Sequence, residues 1–144
     1  MALTELFLDS SFFKALIDDR DEFHSLTKST IDAIEKGVYK PVSTNYILDE
    51  TLTLIRIKSG LDKALQFGNF LRENRLNMRV IRVHAADDAA AWEWFIKDWS
   101  RLSFTDCVSF AVMKRLALTH VATFDQHFKR AGFTIAKPAP TKSA

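Results

Sequence analysis

The sequence predicts an α/β fold: a single-domain, three-layer α/β/α structure with a short, mostly parallel sheet of about five strands. Short apolar segments alternate along the chain with longer segments of helical periodicity, which is the order of a parallel sheet with helical crossovers. The apolar segments "LFL" and "VATF" lack the alternation of apolar and polar residues that is typical of a sheet with one solvent-exposed face. Both faces of the sheet are therefore expected to be covered by helices. A length of 144 residues, 47% of them hydrophobic and 26% charged, suits one globular domain.

Five segments are predicted to be strands, because each is short, largely apolar and bounded by turn residues or acids. These segments are Leu6–Asp9, Lys40–Thr44, Met78–His84, Thr119–Asp125 and Phe133–Ile135. The first and the fourth both end in an aspartate.

Six segments between the strands carry helical patterns. They are Phe12–Ile17, Glu22–Lys36, Asn45–Lys58, Asp62–Glu73, Ala85–Asp98 and Phe104–Leu116. Asp21 is the expected N-cap of the second helix, and its apolar side is expected to include Leu26. Thr44 or Asn45 can cap the third helix.

The domain is predicted to comprise residues 1–136, followed by a flexible tail at 137–144, because "KPAPTKSA" combines prolines with small polar residues. A single cysteine excludes an internal disulfide framework and fits a reducing cytoplasm. The N-terminal segment lacks the regions of a signal peptide, and no apolar run is long enough to span a bilayer. We therefore expect a cytoplasmic protein without membrane association.

Two acids follow strands that are expected to lie in one parallel sheet. Asp9 ends the first strand and Asp125 ends the fourth. Either could simply cap the helix that follows it. Ligands of open α/β sheets, however, bind at the carboxyl ends of the strands, so two such acids also predict a polar crevice there.

Two further acids lie on helix faces that are expected to turn toward the sheet. At about 100° per residue, Glu50 falls beside Ile47 at the edge of an apolar arc, whereas Asp49 points outward. Asp106 lies in the first turn of a helix that is apolar nearly all round, which indicates a buried helix. The structural alternatives are a glutamate at the rim of a packed face and, for Ser103 and Asp106, a capping box.

Four carboxylates at one end of a sheet need positive charge nearby, because unpaired buried acids repel one another. No Lys or Arg lies next to any of the four at a pairing distance in the sequence. His127 follows Asp125 by two residues and could support it. A divalent cation would neutralise the acids, and Mg²⁺ held by a few carboxylates is typical of phosphoryl-transfer sites.

The motifs around these acids resemble the PIN-domain family and, within it, the VapC-like toxin ribonucleases of type II toxin–antitoxin systems. "FLDSS", "LDETL", "LSFTDCVSFAVM" and "ATFDQHF" occur in the family's order, and the resemblance covers about Leu6 to Phe133. It implies a PIN-like fold and a metal-dependent endoribonuclease that cleaves RNA phosphodiester bonds. Its implied catalytic and metal-binding residues are Asp9, Glu50, Asp106 and Asp125.

The resemblance also implies the surroundings of the site. Ser10 or Ser11, together with Thr123, would be supporting hydroxyls, and the cofactor would be Mg²⁺ or Mn²⁺. Toxins of this kind usually form homodimers and are neutralised by a small cognate antitoxin that inserts basic residues into the acidic site.

Two alternatives remain open from the sequence. One is another Mg²⁺-dependent phosphoryl-transfer enzyme, such as a dehalogenase-like phosphatase, although that class requires a second aspartate where this chain has Ser11. The other is a non-catalytic PIN-fold module that binds RNA or a protein.

Overall fold

The computed structural model describes residues 3–136, which form five strands and seven helices. The strands are β1 (Thr4–Leu8), β2 (Tyr39–Thr44), β3 (Arg79–Ile81), β4 (His120–Ala122) and β5 (Thr134–Ile135). The helices are α1 (Ser10–Ile17), α2 (His24–Glu35), α3 (Asn45–Ser59), α4 (Leu61–Glu73), α5 (Ala85–Phe95), α6 (Phe104–Arg115) and α7 (His127–Arg130).

The five strands form one sheet in the order β3-β2-β1-β4-β5, and every neighbouring pair is parallel. β1 is the central strand, where Phe7 lies beside Val42 of β2 and Val121 of β4. The winding direction reverses at β1, so right-handed crossovers place α1–α4 on one face and α5–α7 on the other. The predicted fold class is confirmed, and the reversal opens a crevice between the carboxyl ends of β1 and β4.

The core lies on both faces of the central strand. Leu6, Phe7 and Leu8 are completely buried, as expected for a strand with helices on both sides. Phe13 of α1 packs on Phe67 of α4 at a ring distance of 5.2 Å. The α6 and α7 side has its own aromatic core, in which Phe110 contacts Phe128, Phe133 and Trp94.

The strand ends differ from the prediction, and pairing explains the difference. β1 and β4 end together at the pair Leu8 and Ala122, so Asp9 and residues 123–125 lie beyond the sheet. Within residues 3–136, β3 pairs with β2 alone, and the two strands end together at the pair Thr44 and Ile81. The predicted extension of this strand to His84 is therefore wrong, because no described strand lies beside residues 82–84.

The start of α2 also differs from the prediction. The helix begins at His24 rather than Glu22, and Asp21 does not cap it. Instead, the carboxylate of Asp21 accepts the backbone N–H of Phe23 and the ammonium of Lys14. Leu26, predicted to be on the apolar side, is 49% exposed, because the buried side of α2 is formed by Thr27, Thr30 and Ile34 instead.

Two helices in the second half of the chain were predicted incompletely. α5 ends at Phe95 rather than Asp98. α7 was not predicted, because four residues are too few to show a helical period. In contrast, α6 is buried throughout its middle turns, as its apolar sequence indicated.

The predicted tail at 137–144 lies outside the described residues, so the domain boundary at residue 136 stays a prediction. Within residues 3–136, no helix has both the length and the apolar character needed to cross a bilayer.

Replacing Phe110 with alanine is expected to lower the free energy of unfolding by about 3–5 kcal/mol, because it empties the centre of the aromatic core under α6. Urea denaturation of the purified chain measures the change. The control is Ile96→Ala, whose side chain is 80% exposed and whose removal should change stability by less than about 0.5 kcal/mol. Equal effects of the two changes would contradict this packing.

Candidate active site

The four predicted acids come together at the carboxyl ends of β1 and β4. Asp9 and Asp125 follow these neighbouring strands, Glu50 lies on α3, and Asp106 lies in the first turn of α6. The negative charge of Asp125 raises the pKa of each of the other three. The structure thus places all four carboxylates in one electrostatically coupled group.

Asp9 is the most deeply buried of the four, with 1% of its surface exposed. It caps α1 through the backbone N–H of Ser11, which was the structural alternative in the sequence. Its Oδ2 also accepts hydrogen bonds from the hydroxyls of Ser11 at 2.9 Å and Thr123 at 2.8 Å. Burial raises the pKa of Asp9 despite these donors. Its Oδ1 is buried and has no hydrogen-bond partner within the described residues.

The two hydroxyls that hold Asp9 are themselves held by the loop after β4. Ser11 Oγ accepts the backbone N–H of Phe124, and Thr123 Oγ1 accepts the backbone N–H of Asp125, both at 3.0 Å. Each hydroxyl therefore accepts a hydrogen bond from a backbone N–H and donates its single hydrogen to Asp9 Oδ2. This arrangement occupies one carboxylate oxygen completely and leaves the other free.

Glu50 lies at the rim of the crevice and is half-buried, whereas its neighbour Asp49 is exposed, as the helical period predicted. Burial is the largest cause that raises the pKa of Glu50, and the charges of Asp9 and Asp125 act in the same direction. Hydroxyls of Ser10 and Thr105 oppose this rise through hydrogen bonds.

Asp106 forms a capping box with Ser103, which confirms that prediction. The Asp106 backbone N–H donates to Ser103 Oγ at 3.0 Å, and its Oδ2 accepts the backbone N–H of Ser103 at 3.3 Å. Burial and the charges of Asp9 and Asp125 raise the pKa of Asp106 to about 8. The Asp106 side chain therefore both caps α6 and contributes a carboxylate to the acidic crevice.

His127 has a closer relation to the acids than its sequence position indicated. Its Nδ1 lies 2.8 Å from Asp125 Oδ1 and 3.9 Å from Asp106 Oδ2. Periodicity could not show this, because His127 begins the short helix α7 that has no recognisable pattern. Thr105 was also missed, since its hydroxyl meets Glu50 only through the packing of α3 beside α6.

The donor set fits a divalent cation. Within residues 3–136, no Lys or Arg forms an ion pair with any of the four acids. One carboxylate oxygen from each of Asp106 and Asp125 and one ring nitrogen of His127 lie within 4.8 Å of one another. Neither Asp9 nor Glu50 belongs to this group of close donor atoms. The buried Oδ1 of Asp9, which has no hydrogen-bond partner within the described residues, is nevertheless an oxygen of the kind that Mg²⁺ and Mn²⁺ prefer.

Comparison with known proteins agrees with this geometry. Residues 6–134 match the family model described as PIN domain. The chain is 32% identical over 134 residues to the 23S rRNA-specific endonuclease VapC20 from two strains of Mycobacterium tuberculosis. The match covers 92% of this chain and 98% of the relative.

Solved structures show the same fold. The crystal structure of Mycobacterium tuberculosis VapC20, described as a Sarcin-Ricin loop cleaving toxin, superimposes with a TM-score of 0.79 at 30% identity, covering 92% of this chain and 99% of that one. VapBC2 from Rickettsia felis has a TM-score of 0.67 at 12% identity, covering 92% and 98% of the two chains. FitAcB from Neisseria gonorrhoeae has a TM-score of 0.65 at 16% identity, covering 92% and 97%. The last two are similar in fold alone.

The raised pKa of Asp106 predicts a pH dependence of stability in EDTA. The pKa of about 8 in the folded chain lies above the value of about 3.9 expected in the unfolded chain. Between these values only the folded state holds the proton, so rising pH favours unfolding. Wild type should therefore lose stability relative to Asp106→Asn as the pH rises from about 4 to about 8.

Urea unfolding of both proteins at several pH values measures this difference. A stability difference that stays constant with pH would show that Asp106 is not buried among other acids.

Replacing Thr123 with valine removes the donor to Asp9 and the acceptor for the Asp125 N–H. We expect the free energy of unfolding to fall by about 1–3 kcal/mol, because buried polar groups lose their partners. Thr123→Ser keeps the hydroxyl and should retain most of the stability, and the exposed Thr119→Val serves as the control. If Thr123→Val is as stable as wild type in urea denaturation, the hydroxyl does not hold Asp9.

Proposed function

The chain belongs to the PIN domain family, and on that premise we propose that it is a metal-dependent endoribonuclease that cleaves RNA phosphodiester bonds. We further propose that it is the toxin of a toxin–antitoxin pair. The single observation that carries the proposal is the buried carboxylate of Asp9, which has one oxygen tied to hydroxyls and the other without a partner, among three further acids. The likeness to VapC20 over nearly the whole chain supports the same function.

In this proposal Asp9, Glu50, Asp106 and Asp125 bind Mg²⁺ or Mn²⁺. A bound divalent ion would supply an activated water, a neutralised phosphate and a stabilised leaving oxygen. The unpaired Oδ1 of Asp9 and the lack of Lys or Arg partners for the acids within residues 3–136 support this assignment.

The protein's own contribution is to hold the carboxylates in place before substrate arrives. Ser11 and Thr123 orient Asp9, and the backbone of the β4 loop orients these two hydroxyls in turn. The hydroxyl of Ser10 hydrogen-bonds Glu50, and the backbone N–H of Ser103 donates to Asp106 Oδ2. The N-terminus of α6 also favours negative charge on Asp106. A preorganised site of this kind needs little rearrangement when the phosphate binds.

The partners follow from the same proposal. The substrate is RNA, and ribosomal RNA is the first candidate because the relative VapC20 is described as specific for 23S rRNA. A small antitoxin would block the acidic crevice with basic side chains. The protein would act as a homodimer, in the cytoplasm.

The alternatives from the sequence are treated differently. Membership of the PIN domain family disfavours a dehalogenase-like phosphatase. The non-catalytic module is one of the outcomes of the following test.

Asp9→Asn should abolish RNA cleavage at unchanged folding, because it removes the buried charge while the amide can still cap α1. Loss of a residue that only supports a metal ligand typically lowers activity by about 10- to 100-fold. The cleavage rate of Asp9→Asn should fall by more than that, because Asp9 is proposed to bind the metal itself. Cleavage of ribosomal RNA in the presence of Mg²⁺ or Mn²⁺, mapped by primer extension, measures the effect, and EDTA should stop it.

Two neighbouring positions on α3 provide a matched control. Glu50→Gln should reduce cleavage strongly, whereas Asp49→Asn alters an exposed acid next to it and should leave the rate unchanged. Cleavage by Asp9→Asn at the wild-type rate, or cleavage that persists in EDTA, would refute the nuclease proposal. A folded wild type that binds RNA without cutting it would favour a non-catalytic module.

A further inference from the structure

His127 is held in the acidic site by neighbours that do not belong to the acids. Its Nε2 lies 2.8 Å from the backbone oxygen of Ser100. Its ring is parallel to that of Trp99, with an interplanar angle of 6° and a centroid distance of 6.4 Å, and the guanidinium of Arg130 lies 4.5 Å from the same Trp99 ring. The segment between α5 and α6 therefore fixes both the position and the rotation of the imidazole.

The contact with Ser100 decides which nitrogen presents a lone pair to the acids. A carbonyl oxygen only accepts hydrogen bonds, so Nε2 carries the hydrogen, and Nδ1 of the neutral ring has the lone pair. Nδ1 is buried and lies 2.8 Å from Asp125 Oδ1, yet it has no hydrogen-bond partner in the part of the chain that the structure describes. Two lone pairs at this distance repel each other unless a proton or a metal ion is bound to them.

The separations in this cluster match those of ligands on one metal ion. An octahedral ion with ligands at about 2.1 Å has adjacent ligand atoms about 3 Å apart and opposite ones about 4.2 Å apart. Nδ1 lies 2.8 Å from Asp125 Oδ1, close to the spacing of adjacent ligands, and 3.9 Å from Asp106 Oδ2, between the adjacent and the opposite spacing. Metal-binding histidines also typically donate their second N–H to a backbone carbonyl or carboxylate, as Nε2 does here.

From this geometry we propose that His127, through Nδ1, is a direct ligand of the divalent ion that Asp106 and Asp125 hold. The proposal rests on the proposed function in that the acids must bind a metal. The buried, unpartnered Oδ1 of Asp9 is independent support for a cation at this end of the sheet. Because an imidazole nitrogen suits Mg²⁺ less well than an oxygen does, the site is expected to prefer Mn²⁺ over Mg²⁺.

The main competing role for His127 is that of a positively charged counter-ion to Asp125. The two roles predict opposite results when the imidazole is removed. Loss of a ligand weakens the binding of Mn²⁺, whereas loss of a positive charge strengthens the binding of any cation to the acids.

The test uses the full chain with Mn²⁺ as the probe. His127→Phe keeps a flat ring beside Trp99 but removes the nitrogen, and His84→Gln is the control at an exposed histidine. In electron paramagnetic resonance titrations, His127→Phe should weaken Mn²⁺ binding by about 10-fold or more, and His84→Gln should leave it unchanged. Electron spin-echo experiments should show nitrogen coupling to Mn²⁺ in wild type and in His84→Gln but not in His127→Phe.

Several results would overturn the role of His127. Bound Mn²⁺ without nitrogen coupling in wild type would do so while leaving the proposed metal site intact, as would unchanged or tighter binding by His127→Phe. Absence of Mn²⁺ binding by wild type would overturn both proposals. If His127→Phe does not fold, the wild type labelled with ¹⁵N-histidine decides the question, because the label must change the nitrogen signal if a histidine is bound.

Discussion

Mutual repulsion among four carboxylates, of which Asp9 and Asp106 are buried, is the constraint on which the rest of this site depends. Burial alone raises the pKa of Asp9, Glu50 and Asp106, and their neighbours' charges add to the rise. Hydroxyl and backbone donors surround Asp9 and Asp106, yet they neutralise no charge. The remaining negative charge therefore favours the binding of a proton or a cation among the acids, which links the folding of the crevice to what it binds.

The same short contacts serve both the fold and the site. Asp9 directly follows β1, caps α1 and faces the crevice, and Asp106 closes a capping box at the start of α6 while lying beside the other acids. Residues 96–103 act similarly on the other side, where the backbone oxygen of Ser100 orients the ring of His127 and the backbone N–H of Ser103 orients the carboxylate of Asp106. Asp9, Asp106 and Asp125 thus lie at or beside element ends, where backbone N–H groups without helical partners are available to hold them.

Much of the fold was predictable, because period and composition are local properties of the chain. The five strands, the helices α1–α6 and the inward side of Glu50 all followed from such patterns. Strand ends did not, since β4 stops at Ala122 only because its partner β1 stops at Leu8. The start of α2 was also wrong, because Lys14, seven residues earlier, engages the acid that was expected to cap the helix.

The sequence by itself determined which four acids can meet, because the order of strands and helices and the inward faces of the helices follow from local patterns and from the right-handedness of the crossovers. Only the tertiary structure decided how they meet. The hydroxyl of Thr123 reaches Asp9 across 114 positions, and the ring of His127 is turned by Ser100 across 27. Such contacts depend on two segments being brought together by packing, and no local pattern records the distance or direction between them.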